Sequence, residues 1–133
     1  MSEADKKKIA VIAKKHGLAL VVLFGSQVSG HTHRQSDIDI GYLAARSIDY
    51  REAHAITENL MRVFQNTNIE LVNLGAVPPE VNKQVADEGR VLFEEKKGAF
   101  DMFALSAHRR YMETKPLRDY RSHYIEHFLH AHA

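Results

Sequence analysis

The sequence predicts an α/β (α+β) plate with a C-terminal helical appendage, and three observations carry that reading. Apolar spacing alternates between the helical period and the strand period of two along the chain. Glycine and proline punctuate the changes of period. From Phe100 onward only helical stripes remain. A chain of 133 residues suits one domain, 1–133, long enough to bury most of its apolar surface without covalent staples. Within it, residues 1–95 or so make the plate and residues from about 98 to 133 the helical tail. No repeat, low-complexity tract or Pro/Gly/Ser-rich linker marks a further boundary.

The elements follow in order. Ile9, Ile12, Ala13 and His16 fall at i, i+3, i+4 and i+7 and are followed by Gly17, which predicts an amphipathic helix with a glycine after its end. Residues 18–24, LALVVLF, are a short apolar run rich in β-formers, a buried strand. Asp37, Ile38, Asp39 and Ile40 alternate with period two, a strand with one polar and one buried face. Ala53, Ile56, Leu60 and Phe64 give the helix of residues 50–64, and NIELVNL reads as a third strand. Pro78 and Pro79 introduce a helix that exits at Gly89, and RVLFE is a fourth strand. In the tail Phe100, Phe103, Ala104, Ala107 and Tyr111 share one stripe, and a second stripe after Pro116 runs through Leu117, Tyr120, Tyr124 and Phe128.

Composition narrows the function. Eighteen Lys+Arg against seventeen Asp+Glu leave a net charge of +1, so nothing global favours nucleic acid as a direct partner. There is no cysteine, which excludes disulfides and thiolate metal sites and agrees with an expected cytoplasmic, reducing location. No run approaches the roughly 20 apolar residues of a membrane span, and lysines interrupt the N-terminus where a signal peptide needs a continuous apolar core.

Residues 24–40, FGSQVSGHTHRQSDIDI, hold the candidate site. Residues i and i+2 of a strand share a face, so Asp37 and Asp39 project together while Ile38 and Ile40 anchor the other side. Carboxylates that close repel unless a cation sits between them, and hard oxygen donors without cysteine point to Mg²⁺, or Mn²⁺. Such a cation completes its shell with waters and substrate phosphates, which calls for a phosphate-binding element nearby. Gly25 and Ser26 supply one: a glycine lets backbone N–H groups approach an anion, and a hydroxyl at the start of a following short helix adds a donor. Glu70, the one acid of NIELVNL, is the candidate third carboxylate.

Gly25-Ser26, ten intervening residues and Asp37-x-Asp39 resemble the signature of the nucleotidyltransferase superfamily that includes DNA polymerase β, and its minimal nucleotidyltransferase (MNT) branch in particular. LFGSQVSGHTHRQSDIDI is similar to the MntA antitoxin group of HEPN/MNT toxin–antitoxin pairs, and the likeness covers most of residues 1–95. It implies a small mixed sheet flanked by helices, with the catalytic acids Asp37, Asp39 and Glu70 at strand ends and binding Mg²⁺. It implies further that Ser26 contacts the triphosphate of ATP, with Gly25, Arg34 and Ser36 as the other nucleotide-binding candidates. The activity implied is AMP transfer from ATP to a tyrosine of a HEPN ribonuclease toxin, the expected partner. Two departures stand out: the third acid is Glu70 where aspartate is usual, and Gln27-Val28-Ser29 replaces Tyr-Ala-Arg, leaving Arg34, His31 and His33 as candidates for the missing phosphate ligand.

Other patterns compete. Arg118 and His123 match the Arg-x4-His spacing of HEPN ribonucleases, but the tail is too short for the helical bundle such a domain needs. His123, His127 and His130 fall at i, i+4 and i+7, metal-like spacing that also suits a solvated or partner-facing helix face. The alternatives in function are an antitoxin that neutralises by binding alone and a nucleotidyltransferase for a small-molecule acceptor. Self-association is left open.

Overall fold

The computed structural model describes residues 1–25 and 37–132, which form four helices around a four-stranded sheet. Helix α1 spans Glu3–Lys15; the Ser2 hydroxyl accepts the Asp5 N–H at 3.1 Å, and Lys14 and Lys15 sit at its negative end. It closes on His16, and Gly17 at φ +68° turns the chain into β1, Leu18–Phe24. Then come β2 (Ile38–Ala44), α2 (Tyr50–Phe64), β3 (Ile69–Asn73), α3 (Pro79–Glu88), β4 (Arg90–Glu94) and α4 (Ala99–Ala131). The strand order is β3-β2-β1-β4, with β1 antiparallel to β2 and β4, and β2 parallel to β3 across the α2 connection. The sheet is therefore mixed, as the family resemblance implied.

Alternation along each strand divides the core into two layers. Val21, Ile38, Ile40 and Tyr42 pack under α1 and α2 against Ile9, Ala13, Ile56 and Leu60. Leu20, Val22 and Phe24 face the other way, toward Leu74 and Val85 and, from α4, Phe103 and Ala107. Burying each large aliphatic side chain contributes about 1.5–3 kcal/mol, and Ile9, Leu20, Ile40, Ile56 and Leu60 are all at or below 2% exposure. Ile9, Ala13, Ile56, Leu60, Phe103 and Ala107 are among the stripe residues that the sequence spacing marks. Among the described residues no helix is long and apolar enough to cross a membrane.

The two apolar stripes that Pro116 separates in the sequence lie on one helix, α4, which runs unbroken through it for 33 residues. Proline removes one backbone donor from the helix. Arg118 supplies side-chain donors on that turn, to Tyr111 O at 2.8 Å and to the Thr114 hydroxyl, while its guanidinium stacks 4.0 Å from the Tyr111 ring centroid. Arg118 of the Arg-x4-His pattern is thus engaged with Tyr111 and Thr114 on its own helix. Beyond it every described residue of α4 is exposed, among them Tyr120, Tyr124 and Phe128 of the second stripe.

Candidate active site

The acidic site forms where β1 ends and β2 begins. Asp37 immediately precedes β2, whose first residue, Ile38, donates its N–H to Asn68 O at 2.7 Å and so ties the starts of β2 and β3 together. From there the parallel register pairs Ile38 with Ile69, Asp39 with Glu70 and Ile40 with Leu71. Ile38 and Ile40 are buried under α1 and α2, so Asp37 and Asp39 project from the opposite face, and Glu70, in register with Asp39, projects beside them. Chain positions 37, 39 and 70 are thereby brought to one sheet face.

Gly25 is fitted to that face in two ways. It follows the last residue of β1 at φ +85°, in the left-handed region that glycine enters at no steric cost. A Cβ there would also lie 2.2 Å from Asp39 Oδ2 and 3.1 Å from Asp39 Cγ. The Asp39 carboxylate therefore occupies the space a side chain at position 25 would need. The glycine of the Gly-Ser pair makes room for the Asp39 carboxylate.

Asp39 carries the electrostatic signature of the site. Its pKa is raised above the ordinary aspartate value, first by burial, then by the charge of Glu70 and a carboxyl hydrogen bond with it, and then by the charge of Asp37. Glu70 thus lies close enough to Asp39 for its charge to raise the Asp39 pKa. Among the described residues no group of three or more His, Cys, Asp or Glu side chains is placed to hold a metal ion by itself. The donor set nevertheless fits Mg²⁺, which is commonly held by one or two carboxylates with waters and phosphates completing the octahedron. Asp37 and Asp39, with Glu70 beside them, are the residues that would hold it. Clustered carboxylates without a nearby cation are unfavourable, an arrangement characteristic of functional sites.

Ser26, Arg34 and Ser36, together with His31, His33 and the short helix expected after Gly25, lie outside the described residues. His123, His127 and His130 are exposed on α4.

Two clusters escaped the sequence reading. At the far end of the sheet Glu52, in the first turn of α2, accepts both Arg46 guanidinium nitrogens at 2.7 and 2.6 Å and meets His16 Nδ1 at 2.8 Å. That clasp joins the end of α1 to the start of the β2–β3 crossover and lowers the Glu52 pKa to about 2, through Arg46 first and His16 second. The second cluster is Gly41, Leu74 and Asn82, behind the acids on the same face. Its one signal in the sequence is a glycine inside a strand, which marks a close approach.

The comparisons with known proteins agree with this geometry. The family model for polymerase beta nucleotidyltransferases matches residues 7–98. The protein adenylyltransferase MntA of Shewanella oneidensis is 30% identical over 95 residues, which cover 70% of this chain and 68% of that protein. A crystal structure of a toxin–antitoxin with AMP-PNP superposes with a TM-score of 0.74 at 27% identity, covering 93% of this chain and 98% of the other. The fold also matches, at a TM-score of 0.70 and 24% identity over 97% and 99% of the two chains, a structure of a tri-AMPylated Shewanella oneidensis HEPN toxin in complex with MNT antitoxin. The family match spans both strands that carry the acids, and on it the chain belongs to the polymerase β nucleotidyltransferase family, alongside the protein adenylyltransferase MntA.

Proposed function

We propose that this nucleotidyltransferase is the antitoxin of a HEPN/MNT pair and transfers AMP from ATP to a tyrosine hydroxyl of its HEPN ribonuclease toxin. The observation that carries the reading is the meeting of Asp39 with Glu70 in register across β2 and β3, with Asp37 two residues away on the same face. Relatives add support: one similar protein is a protein adenylyltransferase, and one similar structure is a toxin–antitoxin with an ATP analogue.

The roles follow from the chemistry. The Gly25 turn and the Ser26 hydroxyl, with Arg34 and Ser36, hold the triphosphate. Asp37 and Asp39 are the Mg²⁺ ligands, and Glu70 completes the acidic set. A divalent cation held by these acids would supply charge neutralisation for the triphosphate and would lower the pKa of the acceptor hydroxyl. Glu70, exposed at the edge of the sheet, takes the acceptor's proton as the tyrosine oxygen bonds to the α-phosphorus of ATP and pyrophosphate leaves. A tyrosyl–AMP linkage on the toxin is the product, and adding it silences the ribonuclease.

Replacing Asp37 and Asp39 together with asparagine separates catalysis from binding. Lost neutralisation of the toxin with an intact complex supports transfer. Undiminished neutralisation by the double variant would instead establish an antitoxin that acts by binding alone.

A further inference from the structure

We propose that Asn82 is a positioning residue for the acidic site: acting through Leu74, it fixes the register at which β3 presents Glu70 to Asp39. The inference rests on the reading of those acids as a divalent-cation site.

β3 is poorly specified on its own. It is an edge strand of five residues, joined to the sheet by the parallel pairing with β2, and none of its residues is fully buried. Parallel pairs are slightly the weaker kind, and a one-residue slip would send the Glu70 side chain to the opposite face. The first buried residue the chain reaches is Leu74, at 2% exposure, just past the strand.

Leu74 is held at three points. Its N–H donates to Tyr42 O at 3.0 Å, extending the ladder beyond the Tyr42–Asn73 pair. Its side chain fills the space above Gly41, where a Cβ would meet Cδ2 at 2.7 Å and Cγ at 2.9 Å. Its carbonyl accepts a hydrogen bond from Asn82 Nδ2 at 2.9 Å, in a buried setting. Gly41 lies two residues from Asp39 on β2, and Leu74 four from Glu70, just past the end of β3. Helix α3 thus grips β3 through one side-chain amide, and β2 accommodates the gripped residue with a glycine.

The amide is kept at a cost. Asn82 is 6% exposed, and its Oδ1 is buried with no hydrogen-bond partner among the described residues. What the side chain contributes there is its donor, and that donor is directed at Leu74.

The test uses the full chain with Mn²⁺ as the probe, titrated by electron paramagnetic resonance, alongside thermal melts. Asn82→Ala and Asn82→Asp remove the donor. Val85→Ala, one turn along the same helix and fully buried in the same core layer, is a control that loosens packing while leaving the Asn82–Leu74 hydrogen bond in place. The expected result is Mn²⁺ affinity weakened about tenfold or more in the Asn82 variants, the range seen when residues supporting metal ligands are removed. Val85→Ala lowers the melting temperature and leaves Mn²⁺ affinity unchanged. Leu74→Val keeps the backbone carbonyl that accepts from Asn82 but trims the side chain seated over Gly41; it perturbs the same anchor through packing, should weaken Mn²⁺ binding as well, and serves if the Asn82 variants do not fold. Equal Mn²⁺ affinity in the folded Asn82 or Leu74 variants and the parent chain, or an equal loss in Val85→Ala, would overturn the inference and leave Asn82 a purely structural residue. Parent chain that binds no Mn²⁺, or an Asp39→Asn variant that binds as well as the parent, would overturn the cation-site reading itself.

Discussion

Replacing Gly25 with alanine should damage the site through a contact that can be isolated. The added Cβ would stand 2.2 Å from Asp39 Oδ2, whereas real Cβ contacts essentially never fall under 3.0 Å, so the carboxylate must retreat by at least the 0.8 Å between those values. The residue must also hold φ +85°, which costs an L-residue about 1–2 kcal/mol. Forcing bulk into an occupied space adds roughly 1–3 kcal/mol. A displacement near 1 Å at a reacting centre lowers a rate on the order of 100-fold. The expected outcome is thus a transfer rate reduced about that far in a chain that still folds. Melting curves in an Asp39→Ala background separate the two contributions. There the clash disappears and the backbone strain alone remains, so the cycle should show coupling of about 1 kcal/mol or more between positions 25 and 39. Wild-type turnover by Gly25→Ala, or strict additivity with Asp39→Ala, would refute the view that the glycine seats the acid.

Three further outcomes follow from the same coordinates. Because burial and its carboxylate neighbours raise the Asp39 pKa, ionised Asp39 opposes folding, and stability falls as pH rises through that raised value; without divalent cations at neutral pH, Asp39→Asn should therefore melt higher than the parent while losing transfer, and a lower melting temperature would contradict this. Glu52 behaves oppositely: its pKa is lowered to about 2 by Arg46 and His16, so its contribution is complete above the ordinary value of 4.5 and is lost as pH falls toward 2. Melts across that window should show a weaker acid dependence in Glu52→Gln, and parallel curves would count against the clasp. Gly89→Ala would place a Cβ 2.4 Å from Val85 O and 2.6 Å from Val22 Cγ1, so chemical denaturation should report a loss of roughly 1–3 kcal/mol.

Much of the plate was legible because its signals are local. Asp37-Ile38-Asp39-Ile40 shows a half-buried strand by alternation, and Ile38 and Ile40 are indeed buried with the acids opposite. Ile9, Ala13, Ile56 and Leu60 fall on the buried faces their helical spacing marks. Which strand would lie beside β2 is a matter of tertiary pairing, and the choice of Glu70 as third acid depended on it being the one acid in its strand. The structure supplies the Asp39–Glu70 register that spacing alone does not give. Gly41, Leu74 and Asn82 went unread because each is ordinary in its own segment and acquires meaning only when α3 packs over β2 and β3. Pro116 separates the two tail stripes in the sequence, yet one helix runs through it. Ser26, Arg34 and Ser36 stay expectations of the sequence, being outside the described residues.

The most direct test of the central claim is intact mass spectrometry of the cognate HEPN-family toxin after incubation with this chain, ATP and Mg²⁺, beside the Asp37→Asn/Asp39→Asn variant. The account predicts a gain of one or more AMP units, mapped to tyrosine, that disappears with the variant. An unmodified toxin in a stable complex with the parent chain would contradict it.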